Sequence, residues 1–560
     1  MLLGILGGLF LTFSRPLYYL FGNQSQYFLY GLHLYDSNFI TNDWFTWKVF
    51  HHDFAFGYLL FLLQKLGPLH ITIVIAQLLI MIAFSFGLLI LCKKFCKYPS
   101  LVFMVLITWM RLVSSAEIGL GGQYLIGGYL QPSEVAGPLM ILGIALLLNH
   151  KFFSSGIFFG LAGLFHGAFL SSYGLAILIT ALATGFWRKY KSLLAFIAPL
   201  LLFWGIFFFV TIRAFSYSIP MTNKIASIMI NLRAPGDFII SNWPFKWTLS
   251  WLMWTIMGLI TIYKLRNKKQ LKTLIICFFV VLLTNVLGIV QAIWLKIPTL
   301  TLMMLWRSSS LITILSALFV IDYGIDLILG NKKKLKQNII TIIIFFVCSL
   351  VLIYSHWGPQ ISRIHFLWLI AIPLSGLIGY FSKKINSNLI SYKKTVLVFL
   401  SVIMLIIMAV YLRGYFGKSI NYLTYIKPDT LADMEKWVRE NTPSDAIFVV
   451  PLNMEYIRIR ARRAVVVDWK SACYLPSDLQ EWYQRLIDIS GVSVNGNLPN
   501  NQDILNGYRQ LDYKRAAFLA KKYNASYVVI ENKKHLGSLM GLKEKYNNED
   551  YQVLEIQKLY

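Results

Sequence analysis

Charged residues, and acidic ones above all, are scarce in this sequence. Of its 560 residues only 25 are Asp or Glu, against 52 Lys or Arg, and charged residues make up 14% of the chain. A soluble domain carries about 25% charged residues. The mean hydropathy is +0.61, so the composition excludes an ordinary soluble protein and predicts an integral membrane protein.

Cysteine is also scarce. Cys92 and Cys96 lie in a basic loop, Cys277 and Cys348 lie within apolar runs, and Cys473 lies near the end. These positions suit neither a disulfide framework nor a zinc site. The chain also lacks a tandem repeat, a low-complexity tract and a glycine-rich phosphate loop after any predicted strand, which argues against a nucleotide site.

The net charge of +27 would suggest a nucleic-acid partner in a soluble protein. Here the basic residues form short clusters between apolar runs. We therefore interpret the charge as a topology signal and predict no nucleic-acid partner.

Long apolar runs are abundant. A helix that crosses about 30 Å of hydrocarbon needs about 20 apolar residues, and about thirteen runs meet this requirement. The first run has no basic n-region and no small-residue cleavage site, so it is predicted to be a retained helix. The pair of runs around His166 is open to a second interpretation, a re-entrant segment. The predicted spans are 1–20, 71–92, 99–113, 134–149, 153–168, 169–187, 192–212, 247–264, 273–293, 308–329, 338–355, 365–382 and 394–413.

Basic clusters follow every second predicted span. Examples are CKKFCK at 92–97, KLRNKKQLK at 264–272 and NKKKLK at 331–336. Because cytoplasmic loops are enriched in Lys and Arg, these loops and the N-terminus are predicted to be cytoplasmic. An odd number of spans then places the C-terminus and the loop 34–53 outside.

Polar residues return to soluble frequencies after Arg413. The sequence therefore divides into a membrane bundle, residues 1–413 with an acidic outer loop at 21–70, and an extracytoplasmic domain, residues 414–560. Helical periodicity and β-branched runs predict a small α/β domain. Its predicted helices are 429–441, 478–490 and 511–523, and its predicted strands are 446–452, 463–469, 525–531 and 551–559.

The loop 34–53, LYDSNFITNDWFTWKVFHHD, is the densest polar stretch in the membrane part. Asp43, with Asp36 as second choice, is predicted to act as a general base or to hold a divalent cation near a phosphate. The alternative is structural: these carboxylates cap or anchor a loop helix whose aromatic residues lie at the interface. A metal site of Asp43, Asp53 and His52 stays open as a weak option, because contiguous His-His-Asp is not a standard ligand spacing.

Polar residues at membrane depth are costly and are candidates for function. Glu134, His166 and Arg307 all fall on the outer side in the predicted topology. Arg307 is the candidate for binding a lipid-linked phosphate, since a guanidinium binds phosphate through two hydrogen bonds. The structural alternatives are a snorkelling interfacial arginine and a histidine bonded to a neighbouring helix. Two further residues, Gln131 before Glu134 and Arg233 in the loop 213–246, complete the predicted substrate-binding set.

The architecture resembles the GT-C superfamily of membrane glycosyltransferases, which includes protein mannosyltransferases and aminoarabinose lipid A transferases. The resemblance covers nearly the whole chain. Its most specific local parts are Asp36-x6-Asp43, Gly128-Tyr-Leu-Gln-Pro-Ser133, Leu161-Ala-Gly-Leu-Phe-His166 and Glu440-Asn-Thr-Pro443. Val467-Asp-Trp469 is not the Trp-Trp-Asp signature of oligosaccharyltransferases, so transfer to protein asparagine is not supported.

The resemblance implies an inverting transferase of a bacterial inner membrane. It would move a sugar from a polyprenyl-phosphate donor to an acceptor on the extracytoplasmic face, with an aspartate of the first outer loop, Asp43 or Asp36, as catalytic residue. Whether the reaction requires Mg²⁺ or Mn²⁺ is left open. One alternative is a flippase for a lipid-linked glycan, a class of protein whose sequence is expected to contain an internal repeat. The other is a non-catalytic scaffold that binds a partner through Arg458-Ile-Arg-Ala-Arg-Arg463.

Overall fold

The structure is a computed structural model. It describes residues 1–329 and 429–557, apart from residues 15, 16, 18, 21, 113–117, 186–187, 472 and 494–497. The predicted spans 338–355, 365–382 and 394–413, the basic cluster at 331–336 and the domain boundary at 413 lie outside the described residues.

The described part of residues 1–329 is helical. Its longer helices and the short helices between them are α1 (Leu2–Phe13), α2 (Gln24–Tyr35), α3 (Trp44–Lys48), α4 (Phe54–Leu66), α5 (Leu69–Phe95), α6 (Pro99–Leu112), α7 (Pro132–Leu148), α8 (Phe152–Phe165), α9 (Gly167–Ala183), α10 (Tyr190–Ser216), α11 (Asn223–Ser227), α12 (Pro235–Phe238), α13 (Phe245–Leu265), α14 (Lys272–Val290), α15 (Pro298–Thr301) and α16 (Ser309–Leu329).

Five stretches of these helices are long and apolar enough to cross a membrane. The helical, multi-span character expected from the composition is therefore confirmed, whereas the number of thirteen spans stays a prediction. The five stretches are Leu69–Phe95, Tyr190–Ser216, Phe245–Leu265, Lys269–Leu295 and Pro298–Leu327.

Two local predictions change in the structure. The region 21–70 is not an irregular loop, because α2 and α4 flank the loop 34–53. Helix α4 has 13 residues and a length of about 20 Å, too short to cross about 30 Å of hydrocarbon, and a length criterion therefore missed it. At His166 the backbone is extended (φ −149°, ψ 99°), and this residue ends α8 and begins α9.

Close helix packing explains several small residues in the apolar runs. At Gly8 of α1, an added Cβ would lie 2.5 Å from the Ile82 side chain of α5 and 2.6 Å from its Cα. Only glycine allows the two helices to approach this closely. Helices α1 and α5 are therefore packed directly against each other.

The C-terminal domain is a mixed sheet with helices. Its helices are α17 (Thr430–Asn441), α18 (Ile457–Arg460), α19 (Pro476–Ser490), α20 (Asn501–Arg509) and α21 (Tyr513–Tyr523). Its strands are β1 (Ile447–Val449), β2 (Ala464–Val465), β3 (Ala525–Glu531), β4 (Lys543–Asn547) and β5 (Tyr551–Glu555). The strand order is β2-β1-β3-β5-β4, with β1 parallel to β2 and β3 and with β5 antiparallel to β3 and β4.

Local sequence explains the ends of these helices. Asp429, Asn500 and Asp512 accept hydrogen bonds from the first-turn amides of α17, α20 and α21, as N-cap residues do. Gly491 and Asn524 follow α19 and α21 with positive φ angles of 65° and 56°, the conformation that glycine and asparagine tolerate best.

The predicted α/β pattern is found in the domain, with three additions and one correction. Helices α18 and α20 and strand β4 were not predicted; β4 is mostly exposed, so it lacks the buried apolar alternation of a core strand. The run Arg458–Arg463 is not an exposed basic edge for a partner. It begins in α18, and Arg458 and Arg463 are only 2% and 5% exposed.

Candidate functional site

The loop 34–53 is organised by Asp43. Its Oδ1 accepts hydrogen bonds from the amide of Thr46 (2.8 Å) and from the Thr46 hydroxyl (2.9 Å), which caps α3. Trp47 Nε1 donates to the carbonyls of Phe39 and Ile40 and closes the turn. The loop is therefore a folded unit, as the structural alternative for these carboxylates expects.

The other oxygen of Asp43 reaches the C-terminal domain. Arg458 Nε donates to Asp43 Oδ2 over 2.8 Å, and the amide of Val465 donates to the same oxygen over 3.1 Å. Arg458 Nη1 also donates to Asp468, whose second oxygen is bonded by Ser471. These residues are almost completely inaccessible, and we call Asp43, Arg458 and Asp468 the buried bridge.

Further hydrogen bonds join the same two parts of the chain. Asn42 Nδ2 donates to the carbonyl of Asp445 (2.8 Å), and the amide of Phe50 donates to Asp478 (3.0 Å). The amide of Gly22 donates to the Tyr456 hydroxyl (2.9 Å). The loop 34–53 and the C-terminal domain are therefore in direct contact.

A second group of polar side chains surrounds Arg307, which follows the buried Trp306 just before α16. The guanidinium acts electrostatically on side chains from five other segments of the chain. All of them are only half-buried or exposed, so water reaches this group inside the protein. We call Arg307 and these partners the Arg307 cluster; the partners are Tyr27, His52, Tyr124, His166 and Tyr474.

Arg307 is held in place by its neighbours. Its backbone amide donates to the carbonyl of Met304 over 2.8 Å. Its carbonyl accepts a hydrogen bond from the Tyr173 hydroxyl over 3.4 Å, and Nη1 contacts the Met304 sulfur at 3.5 Å. A thioether is a weak acceptor, so most of the hydrogen-bonding capacity of this guanidinium is available for a ligand.

Arg233 acts on the same two rings as Arg307, those of His52 and Tyr474. Its Nη2 donates to the carbonyl of Lys470 over 2.9 Å, while its buried Nε has no hydrogen-bond partner among the described residues. Two cations therefore face one pair of rings, an arrangement suited to an anionic group.

Asp53 and His52 lie at the edge of the cluster, between α3 and α4. His52 Nδ1 is 3.7 Å from Asp53 Oδ1. Burial raises the pKa of Asp53 to about 7, and burial with the charge of nearby basic groups lowers the pKa of His52 to about 3. At neutral pH His52 is uncharged, and Asp53 is close to the middle of its titration, where a general base works well.

Gln131 and Glu134 lie beside Tyr124. Gln131 donates to the Tyr124 hydroxyl and accepts from Asn23 Nδ2 over 3.1 Å. Glu134 lies in the first turn of α7, is completely buried and acts electrostatically on Tyr124. A Cβ at Gly127 would approach Glu134 Oε1 to 2.3 Å, so residue 127 must be glycine for the carboxylate to remain in this position.

The predicted substrate-binding residues thus lie in or next to the Arg307 cluster. Arg307 and His166 are members, Gln131 and Glu134 interact with Tyr124, and Arg233 interacts with His52 and Tyr474. Asp43 belongs to the buried bridge instead. Asp36 lies at the C-terminal end of α2, where Oδ1 accepts from the amide of Asn38. The catalytic role predicted for Asp43 and Asp36 stays a prediction, and the contacts of Asp43 favour anchoring.

The residues do not fit the metal site left open in the sequence. Both oxygens of Asp43 are engaged by the cap and by Arg458, which removes one of the three suggested ligands. Across the described ranges, no group of three or more His, Cys, Asp or Glu side chains could hold a metal ion.

Sequence reasoning missed Arg458 and Tyr474. Arg458 was grouped with a surface run of basic residues, and only the pairing with Asp43 distinguishes it. Tyr474 lies between a buried cysteine and the start of α19, in a segment with no periodicity to mark it. Tyr27 and Tyr124 were likewise indistinguishable from other aromatic residues near the interface.

A family model matches part of the C-terminal domain. Residues 429–489 match the family model described as a domain of unknown function, DUF6798. The matched segment includes Arg458, Tyr474 and Asp478, which contact Asp43, His52 and Phe50 of the membrane part. No curated protein matches the chain.

A solved structure similar to this chain is that of ArnT from Cupriavidus metallidurans bound to undecaprenyl phosphate. The similarity covers 99% of this chain and 97% of that chain, with 10% sequence identity and a TM-score of 0.46. The likeness in three dimensions is loose, and the function proposed below rests on contacts within this chain.

Proposed function

We propose that this protein is an inverting membrane glycosyltransferase of a bacterial inner membrane. It would transfer a sugar from a polyprenyl-phosphate donor to an acceptor on the extracytoplasmic face. The observation that supports this most directly is the Arg307 cluster with the neighbouring Arg233: two arginines act electrostatically on the rings of His52 and Tyr474, which are partly accessible to water.

The donor phosphate would bind to Arg307 and Arg233. A phosphodiester carries a negative charge, and guanidinium groups bind it with charge-assisted hydrogen bonds. The lipid tail would remain among the apolar helices, which explains why this site belongs to a membrane protein. Gln131, Glu134 and His166 would line the site around the sugar and the acceptor.

In the transfer step, a hydroxyl or amine of the acceptor attacks the anomeric carbon. The new bond to the acceptor forms as the bond from that carbon to the phosphate oxygen breaks. The bonding electrons leave with polyprenyl phosphate, whose added negative charge the two arginines stabilise. The acceptor proton passes to a carboxylate.

Asp53 is the carboxylate that we propose as general base. It lies beside His52 in the cluster and acts electrostatically on Tyr27 and Tyr474, whereas Asp43 is engaged by Arg458. Asp43 and Asp36 remain the candidates predicted from the sequence, and the variants described in the Discussion rank the three.

The test is transfer by purified full-length protein from a panel of polyprenyl-phosphate sugars. Arg307→Gln removes the charge but keeps a polar side chain, and we expect transfer to fall roughly 10- to 100-fold, the value of a charged hydrogen bond. Arg213→Gln is the matched control, since Arg213 is exposed at the end of α10; it should transfer at the wild-type rate.

Two results would overturn the proposal. One is the absence of transfer from every donor in the panel, with movement of the lipid-linked sugar across proteoliposomes instead, as the flippase alternative requires. The other is an Arg307→Gln variant that transfers as fast as the wild type.

A further inference from the structure

Described residues between β2 and the first turn of α19 lie against the membrane part. The carbonyl of Lys470 accepts from Arg233, the Ser477 hydroxyl bonds that of Ser218 over 3.0 Å, and Asp478 accepts from the amide of Phe50. These three hydrogen bonds attach the C-terminal domain to the membrane part on both sides of Tyr474 in the sequence. The C-terminal domain therefore contributes a wall to the candidate site.

Tyr474 is the side chain that this wall extends into the cluster. Its ring centroid lies 3.7 Å from that of His52, at an interplanar angle of 46°. Arg233 and Arg307 both act electrostatically on Tyr474, as do Asp237 and Asp53. Tyr474 is thus a residue of the C-terminal domain on which both proposed phosphate ligands act electrostatically.

The surroundings of Tyr474 combine burial with access. Burial raises its pKa, so the hydroxyl keeps its proton at neutral pH and can donate a hydrogen bond. Yet 39% of the residue surface is accessible, which is expected of a side chain that lines a hollow. Within the described part of the chain, the hydroxyl forms no hydrogen bond.

Tyr456 shows what a purely structural tyrosine looks like at the same interface. It also comes from the C-terminal domain, but its hydroxyl accepts a hydrogen bond from the amide of Gly22. Its ring lies under Arg460, with the guanidinium carbon 4.2 Å from the centroid. The polar groups of Tyr456 are used within the protein, whereas the hydroxyl of Tyr474 is available.

We infer that Tyr474 is a substrate-binding residue whose hydroxyl donates a hydrogen bond to the phosphate held by Arg307 and Arg233. This inference rests on the proposed function and extends it, because it makes the C-terminal domain part of the donor site. Correct docking of the domain is then required for donor binding as well as for stability.

The experiment measures binding of two probes to purified full-length protein, undecaprenyl phosphate and undecaprenol, which share a tail and differ in the phosphate. Tyr474→Phe keeps the ring against His52 and removes only the hydroxyl. We expect undecaprenyl phosphate to bind this variant roughly 10- to 100-fold more weakly, the effect of losing one hydrogen bond to a charged group. Binding of undecaprenol should not change.

Tyr456→Phe is the control, and it should bind both lipids as the wild type does. An unchanged melting temperature for Tyr474→Phe shows that the fold is intact. The inference is overturned if Tyr474→Phe binds undecaprenyl phosphate like the wild type, or if both lipids weaken equally. A wild-type protein that does not prefer the phosphate lipid would instead refute the proposed phosphate site, so the two failures are distinguishable.

Discussion

Asp43→Asn separates the two roles open for this carboxylate. As an N-cap, asparagine is as good as aspartate, so the two bonds with Thr46 would persist. On the other side, an amide nitrogen would replace the oxygen that accepts from Arg458 and Val465. The N–H groups of Arg458 and Val465 would then face the new amide N–H₂, which is also a donor, in a site closed to water.

The cost follows from those contacts. A hydrogen bond to a charged group contributes about 1.5–3 kcal/mol, and a buried amide left without a partner costs about 1–3 kcal/mol. Breaking a buried ion pair by removing one partner costs about 3–5 kcal/mol in total. Arg458 keeps its bond with Asp468, so we expect a destabilisation of about 3 kcal/mol and a clear fall in melting temperature.

The assay compares the melting temperature of the purified full-length variants with their rate of sugar transfer. Arg458→Met and the double variant complete a cycle. Because both partners of the pair are then neutral, the double variant should be less destabilised than the sum of the single changes. The Asp36 side chain accepts one hydrogen bond, from the Asn38 amide, so Asp36→Asn should have the melting temperature of the wild type.

One result would refute the reasoning about anchoring. If Asp43→Asn melts like the wild type and transfers roughly 100-fold more slowly, within the range for a lost general base, Asp43 is the catalytic carboxylate. In that case the buried bridge does not stabilise the contact between the loop and the C-terminal domain.

Two further predictions follow from the site and from the topology. A general base acts only after it has lost its proton, and burial raises the pKa of Asp53 to about 7. Transfer should therefore rise between pH 6 and pH 8 with an apparent pKa near 7. Asp53→Asn should remove this rise and lower transfer about 10²- to 10⁴-fold. A flat wild-type profile would contradict this role. Ser37 and Ser444 are exposed, and cysteines introduced at each should both react with a membrane-impermeant maleimide in intact spheroplasts. Labelling of neither would place both parts in the cytoplasm, against the predicted orientation.

Local patterns in the sequence predicted the class of the fold. The sequence contains apolar runs that are long enough to cross a membrane, and these runs predicted the membrane bundle. The structure contains such helices at 69–95 and 190–216. In the C-terminal domain, the periodic segment 429–441 became α17, and the β-branched run 525–531 became β3. These predictions succeeded because hydrophobic periodicity and burial are properties of neighbouring residues.

The candidate site was predictable only in part. The cost of burying polar groups in a membrane was enough to select Arg307, Glu134 and His166 from the sequence. Their grouping around Tyr124 and the His52–Tyr474 pair depends on how the helices pack. The sequence also offered no means to choose among three aspartates in one loop.

That choice depends on contacts between residues far apart in the chain. Arg458 lies 415 positions after Asp43, and no local pattern distinguishes it from Arg460 or Arg462. Only the docking of α18 against the loop 34–53 turns one arginine into the partner of Asp43. The sequence by itself thus determined the membrane class, the soluble domain and the polar residues worth testing, because each is set by local composition. Tertiary structure decided which carboxylate is engaged and which tyrosine lines the site, because charge pairing and access to water arise only when distant segments meet.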